Sequence, residues 1–168
     1  MSQKTVRIRF RRAITTAIII GLFFVAMSRI DYVVNSTLYN YGLEFSYGWA
    51  NTYWVAYNTV FVIFSAMAGF IYWFGSEKTT CDKKVASALI VTINLLALGN
   101  LQDVMYFIFW AGGLPPSNVA WWWTWWNGIF GTWNTDLQVS LTTMALGVSL
   151  LIWAFALHQK KETCPYPL

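Results

Sequence analysis

The stretch Val85–Trp110, VASALIVTINLLALGNLQDVMYFIFW, is apolar over most of its length but contains Gly99-Asn100-Leu101-Gln102-Asp103 just past its middle. An apolar run of this length is typical of a helix that crosses the roughly 30 Å hydrocarbon core of a membrane. Two amides and a carboxylate are unusual there, because an ionisable group near the centre of such a helix costs at least ~2.5 kcal/mol. We therefore expect Asp103 to be either a functional residue or a polar contact that assembles the helices.

The composition of the whole chain indicates an integral membrane protein. Its 168 residues are 57% hydrophobic and 11% charged, less than half of the ~25% charged residues of typical soluble domains. The net charge of +4 does not indicate nucleic-acid binding, because the basic residues form short clusters between the apolar stretches. We expect the lipid bilayer, and no nucleic acid, among the partners.

The hydrophobic pattern predicts an all-α fold, a single domain over residues 1–168 with four transmembrane helices. The predicted spans are residues 13–30, 49–74, 85–112 and 136–157, each close to or above the ~20 residues that cross a bilayer. Every basic residue except Arg29 lies in the N-terminal segment, the 76–84 loop or the C-terminal tail. Because basic loops stay on the cytoplasmic side, we predict a multi-pass plasma-membrane protein with both termini in the cytoplasm.

The two loops that this topology places outside the cell are rich in aromatic residues. The second contains Gly112-Gly113-Leu114-Pro115-Pro116, which must end the third helix, and then five tryptophans between residues 121 and 126. Tryptophan prefers the headgroup level of a membrane, so residues 118–130 are compatible with a short helix lying in the outer interface. An aromatic belt or a contact with another subunit is the simpler explanation, and a ligand-binding aromatic lid is the alternative.

Polar residues in the second span recur every seven positions and therefore share one helix face: Asn51, Asn58, Ser65 and Tyr72. Ser65 and Gly69 also form a pair of small residues four apart, which lets two helices approach closely. This pattern predicts a packing seam with hydrogen bonds between helices.

Metal and disulfide chemistry within the chain is limited by its composition. One histidine, His158, is too few for a histidine-rich haem, zinc or copper site, so we expect no cofactor in this chain, although a partner subunit could hold a metal. Cys81 and Cys164 both lie on the predicted cytoplasmic side, where thiols are expected to be reduced.

Four acidic residues lie on or near the outer side of the predicted topology: Asp31, Glu44, Asp103 and Asp136. In one hypothesis Asp103 pairs with Arg29, and Asn100 forms a hydrogen bond across the bundle, which makes both contacts structural. In a second, Asp103 and another of these acids form a carboxylate pair for acid–base chemistry or a cation site, with Asp31, Glu44 and Asp103 as candidate ligands. In a third, these groups face a partner subunit.

Three fragments resemble parts of signal peptidase II, an aspartic peptidase of membranes: Asn40-Tyr41-Gly42-Leu43-Glu44-Phe45, Gly99-Asn100-Leu101-Gln102-Asp103 and Asn134-Thr135-Asp136. That family also has four spans, internal termini and external aspartates. The resemblance implies Asp103 and Asp136 as candidate catalytic residues, although Asn134-Thr135-Asp136 is also typical of a helix N-cap. One aspartate of the family's catalytic dyad would fall about nine residues past Asp103, near Gly112, where this chain has no acid, so the dyad that activates water is incomplete here.

A second resemblance is to the small, tryptophan-rich membrane subunits of archaeal ammonia monooxygenase and its methane-oxidising relatives. Asp31-Tyr32-Val33, followed by Trp49-Ala50-Asn51-Thr52-Tyr53 and an apolar span, is similar to the opening of one such subunit. This resemblance implies a place in a copper enzyme complex whose copper is held by partner subunits.

Because no catalytic constellation is complete, we expect a non-catalytic integral subunit of a larger membrane enzyme complex rather than an enzyme by itself. The alternatives are an outward-facing, aspartate-dependent peptidase resembling signal peptidase II, and a cation-binding or transport module that uses Asn100 and Asp103.

Overall fold

A computed structural model of the chain describes residues 3–43, 47–76, 78 and 80–157, and the side chains of 14–43, 52–76, 78 and 80–157. Six helices make up this part of the chain: α1 Gln3–Asn40, α2 Tyr47–Phe74, α3 Thr80–Leu98, α4 Leu101–Phe109, α5 Trp125–Phe130 and α6 Thr135–Leu157. The segment 110–134, which joins α4 to α6 and contains α5, is called the tryptophan-rich loop below. The all-α fold class is therefore confirmed.

Three stretches among the described residues are long and apolar enough to cross a membrane: Ile14–Asn40, Thr52–Phe74 and Thr135–Leu157. Helices α3 and α4 meet the same criterion together but are bent by 61°, so they provide a fourth span only if the bent pair crosses as one. Several long apolar helices indicate a membrane protein. The predicted third span over 85–112 therefore consists of two helices, with a break after Leu98, instead of one.

The first helix is longer than predicted. It continues past residue 30 to Asn40, because no glycine or proline interrupts this part of the sequence. Gly42, with φ of 67°, has the left-handed conformation that commonly follows the end of a helix. Residues that were predicted to form a loop, Asp31 among them, therefore lie on α1.

Helices α2 and α3 pack closely along the predicted seam. A Cβ atom on Gly69 would lie 2.5 Å from Cγ1 of Ile90, so any larger residue would have to displace the Ile90 side chain. Four residues away, the Asn94 amide donates a hydrogen bond of 2.7 Å to the Ser65 hydroxyl. The close contact at Ser65 and Gly69 and a hydrogen bond between helices are both confirmed.

Aromatic side chains pack α1 against α2. The rings of Phe23 and Phe64 are stacked with centroids 3.6 Å apart, and Phe24 and Phe61 follow with centroids 5.1 Å apart. Such pairs contribute about 0.5–1.5 kcal/mol beyond the area they bury. They hold the two helices in contact along the part of α1 that precedes Asp31.

Cys81, near the start of α3, is buried and disulfide-bonded, so the prediction of a reduced thiol is wrong. The other cysteine of the chain, Cys164, lies outside the described residues. Disulfides persist in oxidising compartments and are rare in the cytosol. A disulfide at Cys81 is therefore evidence about which side of the membrane the start of α3 faces.

Candidate functional site

The break between α3 and α4 begins with two residues that have special backbone requirements. Asn100 adopts the left-handed conformation, with φ of 49° and ψ of 38°, which interrupts the regular helix. Gly99 lies against α6, where a Cβ atom would be 2.6 Å from the Cβ atom of Ala145. Together they turn α4 away from the axis of α3 and bring its first turn towards α1.

Side chains from α6 and from the tryptophan-rich loop satisfy the backbone carbonyls at this break. Gln138 Nε2 and Thr142 Oγ1 donate to the Gly99 carbonyl at 2.9 and 2.6 Å. Trp126 Nε1 donates to the Leu98 carbonyl at 3.0 Å. Irregular backbone is tolerated at membrane depth only when its polar groups are satisfied, so these contacts stabilise the bend.

Gln138 connects the break to the tryptophan-rich loop. Its side chain is completely buried, and its Oε1 accepts hydrogen bonds from Trp133 Nε1 at 2.8 Å and from the Asn100 amide at 3.3 Å. The predicted hydrogen bond of Asn100 across the bundle is therefore present, with Gln138 of α6 as its partner.

Helix α1 places Asp31 opposite α4, with 5% of the residue exposed. Asp31 Oδ1 accepts hydrogen bonds from Tyr53 Oη at 2.6 Å and from Asn35 Nδ2 at 3.0 Å, and Oδ2 accepts one from Gln102 Nε2 at 2.7 Å. The three donors belong to α1, α2 and α4. They hold both carboxylate oxygens in place without providing a positive charge.

Asp103 follows Gln102 in the first turn of α4 and is 3% exposed. The Trp123 side chain interacts with this carboxylate, and Oδ2 of Asp103 has no hydrogen-bond partner. The Asp31 carboxylate is near enough for the two groups to interact electrostatically. A buried polar atom without a partner costs about 1–3 kcal/mol, and more when it is charged, so Asp103 is the least satisfied group of this cluster.

Arg29 does not neutralise either carboxylate. Its guanidinium carbon lies 5.2 Å from the Tyr32 ring centroid and 4.7 Å from that of Trp110. The predicted pair between Arg29 and Asp103 is therefore not formed. Residues two apart on a helix do not face each other. Because Asp31 points into the bundle, Arg29 points away from it.

A partly enclosed cavity of about 200 Å³ lies beside the two carboxylates. Its lining is polar at three residues and aromatic at most of the others: Asp31, Asn35, Asp103, Tyr53, Trp54, Tyr106, Phe107, Ala111, Trp122 and Trp123. The rings of Trp122 and Trp123 meet at 87°, and those of Tyr53 and Trp54 at 74°. An apolar cavity of about 150 Å³ can hold benzene, so this one has room for a small molecule.

The tryptophan-rich loop forms one wall of this cavity and is held by specific contacts. Trp121 is completely buried, its backbone N–H donates to the Trp133 carbonyl at 2.7 Å, and its indole donates to Thr135 Oγ1 at 3.0 Å. The Trp123 ring stacks on Trp121 with centroids 5.5 Å apart. A helix is present only over Trp125–Phe130, the last part of the predicted range 118–130.

A second cavity, of about 470 Å³, lies between α2, α3 and α5. Trp54 lines both cavities, and its buried Nε1 has no hydrogen-bond partner. Asn58 and Asn100, predicted as structural polar residues, line the second cavity. The Asn58 amide donates to the Trp54 carbonyl of its own helix at 2.9 Å and so does not join two helices.

Asp136 belongs to neither cavity lining. It is exposed at the start of α6, where Oδ1 accepts a hydrogen bond of 2.7 Å from Ser117. The Asn134 side chain accepts a bond from the Leu137 N–H, as expected for the predicted N-cap. The structure therefore brings Asp103 next to Asp31 and does not bring it together with Asp136.

Two predicted residues cannot be placed in the site: Glu44 and the side chain of Asn51 lie outside the described residues. Within the part of the chain that the structure describes, no group of three or more histidine, cysteine, aspartate or glutamate side chains is arranged to hold a metal ion.

The neutral partners of the carboxylates are the part of the site that the sequence reveals least. Asn35 lies four residues after Asp31, a spacing that brings side chains together on a helix. Gln138 is a buried amide in an apolar span, the kind of residue that usually has a polar partner. Nothing in the sequence distinguishes Tyr53 from its aromatic neighbours.

No protein-family model, curated protein or solved structure matches the chain. The chemistry of the site itself is therefore the basis for a functional assignment.

Proposed function

We propose that this protein is a membrane protein that binds a cation at the carboxylate pair Asp31 and Asp103. The observation that supports the proposal is the buried carboxylate of Asp103, whose Oδ2 atom has no hydrogen-bond partner, on a residue that lines one cavity together with Asp31. Ionisable groups within membrane spans usually pair with one another or mark ion and substrate pathways. No basic side chain among the described residues pairs with these acids, so a bound cation supplies the missing positive charge.

The surrounding donors suit a binding site better than a peptidase dyad. Both oxygens of Asp31 accept hydrogen bonds from neutral side chains. An aspartic peptidase instead shares one proton between two carboxylates that activate a water molecule. These donors fix the orientation of the Asp31 carboxylate before a ligand arrives, which lowers the cost of binding. Substrate cleavage that Asp103→Asn abolishes would favour the peptidase.

The test is thermal unfolding of the purified full-length chain in detergent, with lithium, sodium, potassium, ammonium and tetramethylammonium chlorides compared at constant ionic strength. A ligand at a hundred times its Kd stabilises the folded state by about 2.7 kcal/mol, which raises the Tm by about 5–10 °C for a chain of this size. Asp103→Asn removes the ligand charge, and Asp136→Asn is the matched control because Asp136 is exposed and lines neither cavity.

We expect at least one cation to raise the Tm of the wild type and of Asp136→Asn but not of Asp103→Asn. A rise of equal size in Asp103→Asn, or no rise with any of the cations, contradicts the proposal.

We also propose, as a second candidate, that the chain is a non-catalytic integral subunit of a larger membrane enzyme complex, as in the copper-dependent ammonia and methane monooxygenases. The supporting observation is that only 22–28% of the most apolar window of each of the three spans is buried within the chain. These wide apolar faces are available to lipid or to partner helices. Migration in a native gel with partners of fixed stoichiometry supports this candidate, and migration as a single chain with detergent contradicts it.

For the orientation we propose cytoplasmic termini in the plasma membrane, on the basis of the basic clusters. The disulfide at Cys81 opposes this orientation, because that end would then face a reducing compartment. The test uses Asn118, an exposed residue in the tryptophan-rich loop. In a variant without Cys81 and Cys164, Asn118→Cys should react with an impermeant maleimide in intact cells. Reaction only after the cells are opened contradicts the proposal.

A further inference from the structure

We infer that the cation bound by this site is a small organic ammonium ion, held between the aromatic walls of the cavity and the carboxylate of Asp103. This inference rests on the proposed function and specifies the class of its ligand. It has two independent supports, which are the unpartnered Oδ2 atom of a carboxylate that is 3% exposed and the aromatic composition of the cavity beside it.

The donor set does not suit a hard metal ion. Calcium takes six to eight oxygen ligands, and magnesium requires a nearly ideal octahedron. The two oxygens of Asp31 already accept three hydrogen bonds, so Asp103, whose Oδ2 atom has no partner, is the less satisfied carboxylate of the cavity lining. One free oxygen among aromatic side chains cannot replace the hydration shell of such an ion.

The same surroundings suit an organic ammonium ion. Its positive charge is attracted to the faces of aromatic rings within about 6 Å, and its carbon atoms need no hydrogen bonds. Tryptophan, the strongest residue for this interaction, is present at three positions in the lining: Trp54, Trp122 and Trp123. The perpendicular pair Trp122 and Trp123 gives walls in two directions. Arg29 shows the same chemistry nearby, since its guanidinium lies over two aromatic rings.

The volume of the cavity sets the size of the ligand. At about 200 Å³ the cavity is somewhat larger than a cavity of about 150 Å³ that holds benzene. It therefore has room for a ligand of roughly five to nine non-hydrogen atoms. Tetramethylammonium and choline fall within this range. The hydroxyl group of choline can also donate a hydrogen bond to the Asp103 carboxylate, so we expect choline to bind more tightly than tetramethylammonium.

The experiment is a calorimetric titration of the full-length chain in detergent with choline, tetramethylammonium and the uncharged carbon isostere of choline. Trp122→Leu keeps an apolar wall but removes the ring, at a residue that is 41% exposed. Trp125→Leu is the matched control, because Trp125 is 51% exposed and lines the other cavity instead. We expect Trp122→Leu to weaken choline binding about tenfold, Trp125→Leu to leave it unchanged, and Asp103→Asn to abolish it.

The outcomes separate this inference from the proposed function. If alkali cations stabilise the protein through Asp103 while neither choline nor tetramethylammonium binds, the ammonium inference is overturned and the cation site stands. If the uncharged isostere binds as tightly as choline, or if Trp122→Leu binds choline as well as Trp125→Leu does, the inference is also overturned. If no cation acts through Asp103, both the inference and the proposed function are wrong.

Discussion

Replacing Gln138 by leucine tests whether the buried amide stabilises the bend that forms the site. Leucine has a similar volume but leaves the indole N–H of Trp133 and the amide of Asn100 without their acceptor. The Gly99 carbonyl keeps one donor, because Thr142 still reaches it at 2.6 Å. Leaving the buried indole N–H without its acceptor costs about 1–3 kcal/mol, and the loss of the longer bond from the half-buried Asn100 amide adds about 1 kcal/mol, so the expected loss is about 2–4 kcal/mol.

The assay is thermal unfolding in detergent, followed by circular dichroism and by tryptophan fluorescence. For a chain of this size the expected loss lowers the Tm by about 4–16 °C. Ser140→Ala is the control on the same helix, because Ser140 is exposed and its hydroxyl donates to the Asp136 carbonyl. We expect Ser140→Ala to change stability by less than about 0.5 kcal/mol. A Gln138→Leu protein that melts together with Ser140→Ala would refute the role given to the buried amide.

Three further predictions concern packing and the cost of the site. Gly99→Ala places a Cβ atom 2.6 Å from that of Ala145 and should cost about 1–3 kcal/mol. Adding Ala145→Gly should restore part of that stability. Strictly additive effects in the double variant would contradict this contact. Asn94→Leu removes the hydrogen bond to Ser65 and should cost about 0.6 kcal/mol in thermal unfolding. Because that bond is then already lost, Ser65→Ala should cost less in the Asn94→Leu protein than in the wild type. Asp103→Asn should raise the Tm in the absence of added cations, by the equivalent of about 1 kcal/mol, because it removes a buried negative charge that interacts with Asp31; a lower Tm would show that the wild-type carboxylate is already satisfied.

The parts of the fold and site that follow from local sequence rules could be predicted. Long apolar runs indicate membrane helices, and Ser65 with Gly69 indicates a close helix contact that the structure contains. Asp103 stood out because carboxylates are rare in such helices. The hydrogen bond of Asn100 across the bundle follows from the same rule, although its partner Gln138 does not.

The pairing of Asp103 with Asp31 could not be predicted, because it depends on the direction of a bend. That bend requires the left-handed conformation of Asn100 and the contact of Gly99 with Ala145, which the periodicity of the sequence does not reveal. The sequence also suggested a loop at Asp31, whereas α1 continues to Asn40 and turns the carboxylate into the bundle. The distribution of charges in the sequence predicts a pair between Asp103 and Arg29, but the position of Arg29 on its helix directs its side chain outwards.

Infrared difference spectroscopy of the membrane-reconstituted protein tests the central claim most directly, because it detects the carboxylate groups themselves. Spectra are recorded before and after tetramethylammonium, choline and sodium are added in turn, for the wild type, Asp103→Asn and Asp136→Asn. A cation bound at the pair should change a carboxylate band in the wild type and in Asp136→Asn, and that change should be absent from Asp103→Asn. An unchanged wild-type spectrum with every cation, or the same band shift in Asp103→Asn, would contradict a cation site at Asp31 and Asp103.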